Sequence, residues 1–251
     1  MPYLTSFDDS SLYYEEHGSA GHPALLLLPG LLGSITVQWR AMVSPLAERY
    51  RVIITDLRGH GRSRNNAGTL RAAEMVRDTV LLLDSLNIDR VHIAGYSLGG
   101  YIGLQLHIDY PERVQTLLMH ATKFYWNEDV VAGMKKQMDP DIFLAKVPKY
   151  AAQLAQEHGE ERWRELLCEA SELVAVMPSG LKEEDAARVS CPVLVSTGDN
   201  DDLVPPEEAI RLSRVIPGAQ LMVLPGVRHP FPTVTPSLLL EEMYLFHRSK
   251  P

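Results

Sequence analysis

The sequence predicts an α/β fold: a mostly parallel sheet flanked by helices, interrupted by one helical cap insertion. Short apolar runs alternate with segments of helical spacing over most of the 251 residues, the rhythm of strand, helix and parallel strand. That rhythm fails between about residues 123 and 188, where helical spacing continues without a strand-like run. Length sets the scale, since 251 residues at 45% hydrophobic content can bury a full core and suit one large domain with an insertion. Residues 1–122 and 189–251 are therefore read as the core, and 123–188 as a cap.

Residues Ser10 to His17, with Leu12, Tyr13 and Tyr14, read as an early strand closed by Gly18. Ala24 to Leu28 is a continuous apolar run, as expected of a strand covered on both faces. Pro29-Gly30-Leu31-Leu32-Gly33-Ser34 then makes a turn cluster. Thr36 to Glu48 has helical spacing, with Trp39, Met42, Val43, Leu46 and Ala47 on one side. Arg51 to Thr55 is a short buried strand, and Asp56 to Ser63 a polar, glycine-rich loop. From Ala72 to Leu86, apolar residues recur at three and four, predicting a helix that crosses back to the strand Val91 to Tyr96. A further helix begins directly after Ser97 and stops at Asp109-Tyr110-Pro111, because proline disfavours a helical residue before it. Val114 to His120 is the next strand.

In the cap two strong helices stand out, the second over Gly159 to Met177 with Trp163, Leu166, Leu167, Ala170, Leu173, Val174 and Met177 along one stripe. Strand character resumes at Cys191 to Thr197 and breaks into Gly198-Asp199-Asn200-Asp201-Asp202-Leu203-Val204-Pro205-Pro206. A helix from Glu207 to Val215, a strand from Ala219 to Leu224, the turn Pro225 to Pro230 and a helix from Pro236 to His247 complete the chain.

Composition excludes several classes. A net charge of -8 without clustered Lys and Arg argues against nucleic acid. No apolar run is long enough to span a bilayer, and the start has neither a basic nor an apolar signal region, so neither membrane nor export is expected and the location is read as cytoplasmic. Cys168 and Cys191 are read as buried thiols in a reducing compartment, and without a Cys/His cluster at ligand spacing no metal or other cofactor is expected. Both monomer and homodimer stay open.

The chemistry centres on Gly95-Tyr96-Ser97-Leu98-Gly99-Gly100. A serine at the apex of a strand-to-helix turn is forced toward strained dihedrals, and glycines on either side let strand and helix pass close to it. Its hydroxyl is then held above the sheet, and the helix start aims free N–H groups at the same place. Serine needs a base to become a nucleophile, and the base needs a partner to fix its tautomer. In a parallel sheet the loops after different strands converge on one edge. Such loops carry Ser97, an aspartate-rich turn and His229, in that chain order.

On these motifs the chain resembles serine hydrolases of the α/β-hydrolase superfamily, over residues 10 to 121 and 190 to 248. The matching pieces are the Gly95 to Gly100 elbow, Pro29 to Ser34, Asp56 to Ser63, Gly198 to Pro205 and Pro225 to His229. The resemblance implies an α/β-hydrolase fold with Ser97 as nucleophile, His229 as base and Asp201 as acid. Asp201 stands three residues after the turn glycine and three before Val204-Pro205, as the family's acid does. Asp199 and Asp202 then read as solvated loop carboxylates or helix caps. It also implies an oxyanion hole formed by the backbone N–H groups of Leu31 and Leu98. Pro29 stands where many relatives have His, which removes a side-chain anchor for that loop. His60 is read as a packing and turn residue, and His120 and His158 as incidental polar residues.

The function expected from this resemblance is hydrolysis of a small carboxylic ester, thioester or lactone through an acyl-enzyme, with a small-molecule acyl compound as the only partner. Carbon–carbon bond or enol-lactone hydrolysis by the same triad is the alternative, and a ligand-binding receptor on a hydrolase scaffold the alternative from another class. Candidate substrate contacts are Tyr125 and Trp126 at the cap entry, Phe231 beside the base, and Leu32, Tyr96 and Val204. No basic pair marks a phosphorylated or coenzyme-A substrate.

Overall fold

The computed structural model describes residues 2–248. Its sheet has eight strands: β1 (Tyr3–Thr5), β2 (Ser11–His17), β3 (Ala24–Leu28), β4 (Arg51–Thr55), β5 (Val91–Tyr96), β6 (Val114–His120), β7 (Val193–Gly198) and β8 (Gln220–Leu224). Their spatial order is β1-β2-β4-β3-β5-β6-β7-β8. From β4 to β8 all neighbours are parallel, while β1 and β2 join antiparallel at one edge. The expected strands are all present. β1 is the addition: three residues paired through Tyr3 to Tyr13, too short and too exposed to leave a period in the sequence.

Alternation along the strands sorts the core into two layers. Leu25 and Leu27, with Val52, Ile54 and Ala94, pack beneath α1 (Arg40–Ala47) and α10 (Pro236–Phe246). Leu26 and Leu28, with Ile53, Ile93 and Leu117, face α2 (Ala72–Ser85), α3 (Leu98–Asp109) and α9 (Pro206–Val215). Successive strand side chains point to opposite faces, so a run of four leucines serves both layers at once. α1 starts later than its apolar spacing suggests. Trp39 sits in the left-handed region at φ 59° and ends a turn in which Gln38 N–H bonds Ser34 C=O at 3.0 Å.

The insertion is all helix: α4 (Glu128–Gln137), α5 (Pro140–Lys146), α6 (Pro148–His158), α7 (Arg162–Val176) and the short α8 (Glu183–Ala186). Its apolar side joins the core layer under α3 through Leu154, Trp163, Leu167 and Val174. Only two of these helices are strong in the sequence, because prolines cut the rest into short pieces. Pro140 and Pro148 open α5 and α6 at first-turn positions, where a missing N–H costs nothing. The Asp139 carboxylate caps α5 through the N–H groups of Asp141 and Ile142, both at 3.0 Å. We propose residues 123–188 as the cap unit and the flanking segments as the core; residue 1 and residues 249–251 of that division lie outside the described residues.

One burial expectation fails. Cys191 is buried, and burial pushes its thiol up to about 12, but Cys168 is exposed. It falls on the solvent side of α7, off the stripe of Trp163, Leu166, Leu167 and Ala170. No helix among the described residues is long and apolar enough to cross a membrane.

Candidate active site

Ser97 joins β5 to α3 with φ 50° and ψ -114°. A non-glycine residue held there costs on the order of 1–3 kcal/mol and persists only where its surroundings fix it. They do so by excluding side chains: a Cβ on Gly95 would lie 2.4 Å from the Gly99 carbonyl carbon, and one on Gly99 2.2 Å from the Leu28 carbonyl oxygen. Ser97 N–H donates to His120 C=O at 2.8 Å, and Ser97 C=O accepts from Gly100 N–H at 3.1 Å. Leu98 is the first residue of α3, so its N–H has no carbonyl a turn earlier in the helix and is free to bind an anion.

The three loops expected to converge do so. Ser97 Oγ lies 3.3 Å from His229 Nε2. His229 Nδ1 lies 2.9 and 3.1 Å from the two carboxylate oxygens of Asp201. Asp201 is 3% exposed, and its Oδ1 also accepts from the N–H groups of Leu203 and Val204 at 2.9 and 2.8 Å. An ionised carboxylate only accepts, so Nδ1 carries the proton and Nε2 presents its lone pair to the serine. Asp199 has a different task. Its Oδ1 accepts from Gly226 N–H at 2.7 Å and ties the aspartate turn to the histidine turn, whereas α9 has no side-chain cap.

The loop after β3 is a tight turn, closed by Gly33 N–H to Gly30 C=O at 3.0 Å. The anchor that Pro29 cannot supply comes from elsewhere: Gln38 Oε1 accepts from Gly30 N–H at 2.7 Å, and the Trp39 indole N–H donates to Leu28 C=O at 3.0 Å. Asp56 fixes the far end of the loop by accepting from Ile35 N–H at 2.7 Å. Leu31 and Leu98 both border the cavity beside Ser97.

A cavity of about 610 Å³ lies between the core and the cap and opens onto Ser97 and His229. A family model described as the α/β-hydrolase fold matches residues 23–176. The chain belongs to the α/β-hydrolase family. A protein of Azorhizobium caulinodans that carries the name carbamate hydrolase RutD is 30% identical over 98% of both chains. The 3-oxoadipate enol-lactonase 2 of Acinetobacter baylyi is 29% identical over 77% of each. A carboxylesterase structure from Nitrososphaera gargenis superposes with a TM-score of 0.84 at 23% identity, covering 98% of this chain and 97% of the other. The protein is therefore an enzyme, a hydrolase.

In this hydrolase Leu32, Tyr96, Trp126 and Phe231 border the cavity, as the sequence suggests, but Tyr125 and Val204 do not. Tyr125 is a cap anchor: its hydroxyl donates to Glu183 at 2.7 Å and the Arg211 guanidinium sits 4.1 Å from its ring centre. Val204 is buried and serves through its backbone, donating to Asp201 and accepting from the Thr197 hydroxyl at 2.7 Å. Leu203 takes its place on the wall. Apolar Met134, Met138, Phe143, Leu173, Val174 and Met177 from the cap form much of the cavity. A polar ridge of α6, Lys149, Gln153 and Glu157 at four-residue intervals, borders it too. Lys123 also reaches the wall but is ion-paired with Glu208. Glu157 is not legible as a site residue in the sequence, because its place on the wall depends on which core loop the cap descends upon.

Proposed function

We propose that the protein is a serine hydrolase that cleaves a small carboxylic ester or lactone through an acyl-enzyme. The observation that carries this reading is the Ser97, His229, Asp201 chain opening on a largely apolar cavity. His229 Nε2 takes the Ser97 proton as Oγ attacks the substrate carbonyl, the 3.3 Å separation tightening when substrate is bound. The oxyanion is held by the N–H groups of Leu31 and Leu98. The Asp201 carboxylate stabilises the imidazolium that forms, and that imidazolium protonates the leaving alcohol. Water, deprotonated by His229, then releases the acid. With a lactone the steps are the same, except that the leaving hydroxyl stays tethered to the acyl group.

The relatives agree with hydrolysis at an acyl carbonyl: one carries the name of an enol-lactonase, which supports the lactone class, and one that of a carbamate hydrolase. The α6 ridge favours an acyl or alcohol part with one polar arm, facing Lys149, Gln153 or Glu157 while the rest meets the cap methionines. Free Cys168 and Cys191 suit a reducing, cytoplasmic setting. The test is labelling by a fluorophosphonate, followed by rates on p-nitrophenyl esters of graded length, γ- and δ-lactones and a phenyl carbamate. Label and turnover that vanish together in Ser97→Ala are expected. A wild-type protein that takes no label and turns over none of these compounds overturns the reading.

A further inference from the structure

Leu32 lies in the left-handed region at φ 61°, a conformation that costs a branched residue about 1–2 kcal/mol. It is held inside the turn that carries the proposed oxyanion donor Leu31, and one of the groups holding it comes from the cap. His158, the last residue of α6, is 2% exposed. Its Nδ1 accepts from Gly61 N–H at 2.7 Å, so the ring proton is on Nε2, which donates to the Leu32 carbonyl at 3.2 Å. The His60 ring packs edge-on against it, with centroids 6.0 Å apart. The preceding cap residue repeats the contact, Glu157 accepting from the Ser34 hydroxyl at 2.6 Å.

Two bridges thus lace the loop after β3 to the loop after β4. One is Asp56, which accepts from Ile35 N–H and Arg62 N–H at 2.7 and 2.9 Å. The other is His158, which joins Leu32 to Gly61 and acts three residues closer to Leu31. The first belongs to the core and is present however the cap sits. The second exists only while α6 is docked.

Resting on the serine-hydrolase reading above, we infer that His158 is a positioning residue for the oxyanion hole: through Leu32 it holds the turn that carries the proposed donor Leu31 beside Ser97. Burial lowers its pKa to about 4, so near neutral pH the ring stays uncharged and both bonds stand. The hole is then complete only with the cap closed, which couples carbonyl activation to enclosure of the substrate.

The experiment compares wild type with His158→Phe, which keeps a ring but removes both hydrogen bonds, and with His158→Leu, which leaves space should the phenyl ring not fit. Steady-state constants for p-nitrophenyl acetate are measured beside inhibition by an aryl trifluoromethyl ketone, whose adduct with serine places an oxyanion in the hole. The expected result is a fall in kcat of about 10- to 100-fold, somewhat below the loss of a whole donor. KM stays within about twofold, and ketone affinity falls by the same factor as kcat. A folded variant with wild-type kcat and ketone affinity overturns the inference, as does a fall in kcat that the ketone does not share. Those outcomes leave the proposed function standing, since wild type is still labelled and active. A wild type that is neither overturns both.

Discussion

The Tyr96 hydroxyl donates a 2.5 Å hydrogen bond to the backbone carbonyl of His229. The residue before the nucleophile therefore holds the main chain of the base, which arrives from the loop after β8. The same ring packs edge-on against Phe231 with centroids 4.9 Å apart, so hydroxyl and ring brace one turn from two sides. Burial raises the phenol pKa, keeping the group a donor.

Tyr96→Phe should keep the ring contact and lose only the tether. Unfolding free energy should fall by about 1–2 kcal/mol, as when a part-buried carbonyl loses its donor. kcat should fall about tenfold as the imidazole gains freedom, with a smaller change in KM. Denaturant midpoints and initial rates check both. An unchanged kcat would show that the Asp201 contact alone fixes His229.

Asp201→Asn is expected to be far more damaging to turnover than to folding. Oδ1 is already committed to the Leu203 and Val204 N–H groups, so the amide oxygen will stay there and the NH2 will face His229 Nδ1. Nδ1 must then accept, the proton moves to Nε2, and the imidazole can no longer take the Ser97 proton. A loss of about 10³- to 10⁴-fold in kcat, with thermal stability close to wild type, is the expected pattern. Activity within tenfold of wild type would reassign the acid.

The backbone of this fold is legible in the sequence where physics is local. Ala24–Leu28 is found at the expected residues because its continuous apolar run needs burial on both faces, and Val114–His120 because it is centred on the apolar Leu117, Leu118 and Met119. The Ser97 elbow is readable because a strained turn needs glycines at fixed offsets. What could not be read depends on packing between distant elements. Tyr125 and Trp126 are adjacent aromatics at the cap entry, yet only Trp126 borders the cavity while Tyr125 turns to Glu183. Gln38 as the anchor of the turn after β3, and His158 as its clamp, become visible only when eight and 126 residues of separation are folded away. The boundaries of the cap helices before α7 are blurred for another reason: Pro140 and Pro148 divide this stretch into helices of ten, seven and eleven residues, too few turns each for separate helical periods to emerge.

Buried imidazoles set the acid limit of stability. The pKa values of His60, His92, His120 and His158 are lowered by burial to between about 3 and about 4, and those of His107 and His247 are lowered for the same reason. Protonation would also break specific bonds, since His107 Nε2 accepts from Ser190 N–H and His158 Nδ1 from Gly61 N–H. A histidine whose folded pKa lies below its unfolded value of about 6.5 leaves the unfolded chain with more protons, so stability falls as pH drops. Each such group contributes up to about 1.4 kcal/mol per pH unit between about 6.5 and its folded value. Three carboxylates oppose this: burial raises Asp56, Glu157 and Glu169, so their folded forms bind protons more readily. Six groups outweigh three, and the histidine window opens at higher pH. Asp8 and Glu15, held near about 2 despite burial by their Arg58 and Arg40 bonds, surrender their stabilisation only below about pH 4. The melting temperature should therefore be level above about pH 7 and decline steadily between about 6.5 and 4, measured by calorimetry at constant ionic strength. A melting temperature that held or rose across that interval would mean that these imidazoles bind protons in the folded protein, and the neutral forms assigned to them would have to be abandoned.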